Sequence, residues 1–167
     1  VWSAGCATGQ EPYSLAMMFK EAIGSSKIDF KIYATDMNKV SINIAKSGKY
    51  DLKSLKNIPN NLLPKYVTKL NDEVFQIRKD LIDNIEFSVG DVLSLKMESL
   101  DLVICRNLLI YYSRNAQELL FKKFYTSLKE NGIVILGMDE SMIGTDAINY
   151  FKAMHPRQRI FEKISGR

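Results

Sequence analysis

Histidine is almost missing from this sequence: among 167 residues there is one, His155. A single imidazole excludes multi-histidine metal sites and argues against a Ser-His-Asp triad; no metal centre is expected. Cysteine is scarce as well. Cys6 and Cys105 both lie in apolar surroundings, which argues against a disulfide-stapled secreted domain and fits a reducing cytosol. No apolar run approaches the roughly 18 residues that span a bilayer, and the chain does not open on a basic-then-apolar leader. The expected setting is the cytoplasm, without direct insertion into a membrane. What the sequence does contain, 46 % apolar and 25 % charged residues, suits a soluble globular domain long enough to bury a core without staples.

Acidic charge is thin in one segment. Residues 38–80 carry nine Lys/Arg (Lys39, Lys46, Lys49, Lys53, Lys56, Lys65, Lys69, Arg78, Lys79) against four acids (Asp51, Asp72, Glu73, Asp80). That balance of +5, on a chain whose total is +4, leaves −1 for the remainder. Such an imbalance suits an acidic partner, or it is a solvated lysine-rich face. Aromatic residues do not alternate with the lysines as a base-stacking surface requires, so nucleic acid is not expected as a partner.

Apolar runs bounded by Gly, Asp and Asn alternate with helical periodicities. Val1-Trp2-Ser3 reads as the end of a buried strand stopping at Ala4-Gly5. The chain starts inside this element, so upstream residues are expected to be missing. Gly5-Cys6-Ala7-Thr8-Gly9 is a small-residue turn, and Glu11-Pro12 then opens a helix. Leu15, Met18, Phe19, Ala22 and Ile23 are expected on its buried face, with Gly24 at its end. A strand over 30–35 stops at Asp36. Asn38 is placed to cap a second helix carrying Val40, Ile42, Ile44 and Ala45, closed by Gly48. Residues 49–83, with Pro59, Pro64 and a short alternating stretch at 74–78, read as an insertion of small strands and short helices. Strands follow at 85–89, 100–105 and 133–137; Ser113 caps a helix running to about Lys129, with Leu120, Phe121, Phe124 and Leu128 inward. Two strand candidates, 150–154 and 159–164, flank a turn at His155-Pro156-Arg157. Cys6, Cys105, Met17 and Met18 read as packing residues.

This alternation implies an α/β fold with a mostly parallel sheet, and such sheets bind ligands beyond the carboxyl ends of their strands. Those ends hold Gly5…Gly9 with Glu11, Asp36, Asp91 and Asn107. A glycine-rich turn admits a ligand close to the backbone, and an acid after the second strand can accept ribose hydroxyls; Asp36 could equally cap the next helix. The turn is not G-x-G-x-x-G, Asp36 lies 27 residues past Gly9, and no phosphate-loop lysine is present, so NAD and ATP are disfavoured. Glu11 stands where a pyrophosphate would need the positive end of the helix. S-adenosylmethionine, an adenosine with a sulfonium, an ammonium and no phosphate, meets each of these conditions.

Trp2-Ser3-Ala4-Gly5-Cys6-Ala7-Thr8-Gly9-Gln10-Glu11-Pro12-Tyr13-Ser14 resembles the opening motif of the chemotaxis receptor methyltransferases, the CheR family. Similar stretches are Ala34-Thr35-Asp36, residues 87–92, residues 101–112 and Gly137-Met138-Asp139-Glu140-Ser141, so the likeness covers nearly the whole chain. It implies a class I SAM-dependent methyltransferase fold over 1–167, Rossmann-like, with seven strands of which the last is antiparallel, and a small β-subdomain inserted at about 49–83. It implies S-adenosylmethionine as cofactor and S-adenosylhomocysteine as product. Glu11 would contact the methionine end, Asp36 the ribose hydroxyls, Asp91 and Val92 the adenine, and Asn107 and Leu108 the region of the sulfonium and the incoming substrate. Gly5 and Gly9 would shape the turn. The implied reaction is methyl-ester formation on glutamates of the cytoplasmic helical domain of membrane chemoreceptors, with Asn107 and Tyr111 positioning the acceptor carboxylate; otherwise Tyr111 packs in the core.

Two departures from the family pattern matter. The family's N-terminal helical domain, which covers the cofactor, is absent here, so weak activity or none is expected of this chain. Residues 66–78 contain no glycine and are shorter than in members that dock on a receptor's C-terminal pentapeptide, so a pentapeptide-independent enzyme is expected. The alternatives are a non-catalytic module binding S-adenosylmethionine or a partner, or a methyltransferase for another substrate. Asn107-Leu108-Leu109-Ile110-Tyr111 is faintly similar to the Asn-Pro-Pro-Tyr motif of amino-group enzymes but lacks both prolines.

Overall fold

The computed structural model describes residues 1–166. In chain order its elements are β1 (Trp2–Ala4), α1 (Gln10–Ile23), β2 (Ile32–Asp36), α2 (Lys39–Ser47), β3 (Lys49–Tyr50), α3 (Leu63–Tyr66), β4 (Val67–Lys69), β5 (Phe75–Ile77), α4 (Lys79–Ile82), β6 (Ile85–Val89), β7 (Leu100–Cys105), α5 (Arg114–Ser127), β8 (Leu128–Leu136), β9 (Phe151–His155) and β10 (Ile160–Lys163). The large sheet counts seven strands and is mostly parallel. The chain divides into two compact units, one of Val1–Gly5 with everything from Gly90 onward, the other of Cys6–Val89.

The first unit holds five of the seven strands, in the order β1-β7-β8-β10-β9. β7 is parallel to β1 and to β8, and β10 runs antiparallel to both β8 and β9, so the last strand is the reversed one, as the family resemblance implies. The register pairs Ala4 with Cys105, and β1 and β7 leave the sheet at one level. Trp2 is fully buried, edge-on to Phe124 of α5 at 5.7 Å. Leu120, Phe121 and Phe124 face inward as their spacing predicts, and the Ser113 hydroxyl accepts from Ala116 N. α5 stops at Ser127, short of the expected Lys129, because Leu128 turns extended and pairs with Leu100. The strand then bends at Asn131, whose φ is 60°.

In the second unit β2 and β6 pair in parallel, Asp36 opposite Val89, so both end together. Residues 49–77 form a separate antiparallel sheet, β3-β5-β4. Asn38 caps α2 as expected, its Oδ1 accepting from Val40 N and Ser41 N, and Gly48 closes it at φ 60°.

The buried face of α1 differs from expectation. In α1 the inward residues are Pro12, Tyr13, Ala16 and Met17, and Met18 is 63 % exposed. Tyr13 decides the rotation: its hydroxyl donates to Ala45 O at 2.7 Å, and its ring meets Phe87 and Tyr50. Phe19 is turned to Phe30 instead, 5.2 Å between ring centres. In α2 only Ile42 and Ala45 are buried. Val40 and Ile44, each two positions from Ile42, point away because two helical residues subtend about 200°.

Candidate functional site

The turn after β1 is built from left-handed residues: Gly5 (φ 77°), Ala7 (46°) and Gly9 (94°). Within the second unit, Cys6 N donates to Thr35 O and Gly9 N to Cys6 O. A side chain at Gly9 would put its Cβ 2.8 Å from Ala45 Cβ and 2.9 Å from the Tyr50 hydroxyl, which itself donates to Thr8 O at 2.6 Å. The turn is thus held against α2 and β3 from behind. Asp36 at the end of β2 holds it from the side: Oδ2 accepts from Ala7 N at 2.9 Å, and Oδ1 from Asn38 N at 2.8 Å. The carboxylate therefore serves the turn and the start of α2 together, and its remaining lone pairs can accept hydroxyl donors.

Glu11 lies in the first turn of α1, where its charge meets the positive end of the helix. Burial pushes the Cys6 thiol up to about 12, and the carboxylates of Asp36 and Glu11 push the same way. Both acids therefore lie within electrostatic reach of one backbone turn. Carboxylates only accept hydrogen bonds. These acceptors suit a ligand bearing hydroxyls and positive charge, and they oppose a phosphate. S-adenosylmethionine fits it.

The remaining residues expected at the site lie in the first unit. Gly5 allows Leu108 to press close, since a Cβ there would be 3.0 Å from Leu108 Cδ1. Asp91 follows β6; its Oδ1 accepts from Leu93 N at 3.0 Å and from the Tyr112 hydroxyl at 3.4 Å, and Val92 beside it is buried. Asn107 is exposed in the left-handed region at φ 59°, and Leu108 is half-buried. Tyr111 ends a short 3-10 turn and is 80 % exposed, which excludes the expected alternative of a core residue.

Sequence reasoning gave no role to Glu140, although it stands just past the end of β8. The side chain is buried and accepts four backbone N–H groups, those of Asn107, Leu108, Leu109 and Gly137. The available signal was an acid following a fifth apolar strand, in line with the four strand ends already noted. Among the described residues, no helix is long and apolar enough to cross a membrane.

The family described as CheR methyltransferase, SAM binding domain, matches residues 1–159. The chain is 34 % identical over 155 residues to the chemotaxis protein methyltransferase of Borreliella burgdorferi, covering 90 % of this chain and 55 % of that protein. It is 31 % identical over 147 residues to the chemotaxis protein methyltransferase of Salmonella typhimurium, covering 84 % and 51 %. The chain spans about half the length of these curated relatives. Among solved structures it is similar to phosphoethanolamine N-methyltransferase 1 of Haemonchus contortus, in complex with phosphoethanolamine and S-adenosylhomocysteine, with a TM-score of 0.51 at 17 % identity over 81 % of this chain and 21 % of that one. That likeness concerns the fold, which is the class I SAM-dependent methyltransferase fold. The chain belongs to the CheR methyltransferase family, and residues 1–159 match its SAM-binding domain.

Proposed function

We propose that this chain is the methyl-transferring part of a cytoplasmic protein-glutamate O-methyltransferase, acting on the cytoplasmic helical domain of membrane chemoreceptors. Family membership over residues 1–159 is the observation that carries the reading. S-adenosylmethionine supplies a methyl group activated on its sulfonium and leaves as S-adenosylhomocysteine. Glu11 accepts from the ammonium of the methionine end, and Asp36 from the ribose hydroxyls. Asp91 and Val92 stand beside the adenine; Leu93 N and the Tyr112 hydroxyl engage Asp91 Oδ1, leaving Oδ2 for the amino group. Gly5 and Gly9 shape the turn, both in the left-handed region. Asn107 and Leu108 line the pocket towards the acceptor, whose carboxylate Asn107 and Tyr111 position.

The acceptor needs no general base. A glutamate with an ordinary pKa near 4.3 is already ionised at pH 7. The residues have to align it, an effect that supplies about 7–11 kcal/mol at most, and to exclude water, because an anion and a cation combine to neutral products. The exposed lysines of α2 and the stretch after it would draw acidic receptor helices. The β4–β5 hairpin turns without glycine, Asn71 Oδ1 accepting from Glu73 N and Val74 N, and in this reading it does not dock a receptor pentapeptide.

Labelled S-adenosylmethionine and a receptor cytoplasmic fragment test this directly. The expected label is released by mild base and is lost when the receptor's glutamates are changed to glutamine. Base-stable label would mean amino-group methylation; absence of label from this chain and from one extended upstream, both binding S-adenosylhomocysteine, would mean a non-catalytic module.

A further inference from the structure

We propose that Glu140 is the positioning residue of the cofactor pocket, fixing Asn107 and Leu108 through their backbone amides; the inference rests on the pocket assignment just made. Glu140 Oε1 accepts from Leu108 N at 2.8 Å and Leu109 N at 2.7 Å. Oε2 accepts from Asn107 N at 3.1 Å and Gly137 N at 2.7 Å. Four donors match the roughly four lone-pair sites of one carboxylate, and the group is 3 % exposed.

Three consecutive amides converge on one acceptor with the chain at Asn107 in the left-handed region, φ 59°. Such a conformation persists where its surroundings over-determine it, and Glu140 supplies that determination. Gly137 points the same way. A Cβ there would stand 2.6 Å from Glu140 Oε2 and 3.1 Å from Asn107 N, so glycine admits the carboxylate to the amides. On its other side Leu108 abuts Gly5, 3.0 Å from where a Cβ would be. Glu140 and Gly5 therefore set Leu108 between them, and moving the carboxylate moves the residue assigned to the pocket. Buried charge-assisted hydrogen bonds of this kind are the strong ones. Glutamine can serve only two of the four amides, since its NH2 group would turn N–H against N–H at the other two.

Calorimetry with S-adenosylhomocysteine and amide NMR on wild type, Glu140→Gln, Gly137→Ala and Asp36→Ala test the inference. In the folded Glu140→Gln and Gly137→Ala variants, the amide signals of Leu108 and Leu109 are expected to shift upfield, and Kd to rise at least tenfold. A purely structural role would lower the melting temperature and leave Kd of the folded protein unchanged. Wild-type binding weakened by Asp36→Ala but untouched by the other two would overturn this inference alone. Absence of wild-type binding would overturn the pocket assignment and the inference with it. Should both variants fail to fold, the wild-type titration decides: the amides of Asn107, Leu108, Leu109 and Gly137 must move together on binding, and still signals would contradict the proposal.

Discussion

Burial holds the Cys6 thiol near 12, with Asp36 and Glu11 adding to the shift. Raising a thiol's pKa keeps it protonated until the pH approaches that value, and only the thiolate attacks. At pH 8 Cys6 is therefore expected to react with iodoacetamide on the order of a thousandfold more slowly than an ordinary thiol. Mass spectrometry of native protein should find it unlabelled, and urea should expose it; rapid native labelling would contradict the buried acidic setting. The same residues show what a sequence discloses at this scale. Asp36, Glu11 and Gly9 stood out as candidates because a short turn and two acids at strand and helix ends leave a local pattern. The acid at Glu140 was visible too, but its partners were not, because they are backbone amides up to 33 residues away, and backbone amides carry no letter in a sequence.

The elements were legible as types, and less so as orientations or, where α5 passes into β8 at Leu128, as boundaries. Asn38, Gly48 and Ser113 cap and close helices where their chemistry predicts. The rotation of α1 was misread because Tyr13 and Ala16 score as less apolar than Leu15, Met18 and Phe19. A buried hydroxyl partner, Ala45 O, makes the tyrosine an inward residue all the same. The corrected face makes a sharp contrast between neighbours. Met17→Ala should cost about 2–5 kcal/mol, as truncation in a core does, whereas Met18→Ala should stay within about 0.5 kcal/mol. Urea unfolding of the two variants measures both, and the reverse order would restore the face expected from periodicity.

For the whole chain, charge and fold play separate parts. Lys65, Lys69, Arg78 and Lys79 of the basic segment are engaged with nearby carboxylates at exposed positions, where ion pairs add little stability. Lys39, Lys46, Lys49, Lys53 and Lys56 are all exposed, so the surplus is a surface property that bears on association and not on the core. The seven-stranded α/β architecture was legible because strand and helix periods alternate cleanly over most of the chain. The inserted sheet was legible as small strands but not strand by strand, since three strands of two or three residues each leave too short a period to place more than the alternating stretch at 74–78. The central claim is that the acids at the strand ends of this chain bind the cofactor of a methyltransferase, and titration calorimetry with S-adenosylhomocysteine on wild type and Asp36→Ala tests it most directly. The account predicts saturable micromolar binding to the wild-type chain and a loss of at least tenfold in the variant; equal affinity in both, or none in the wild type, would contradict it.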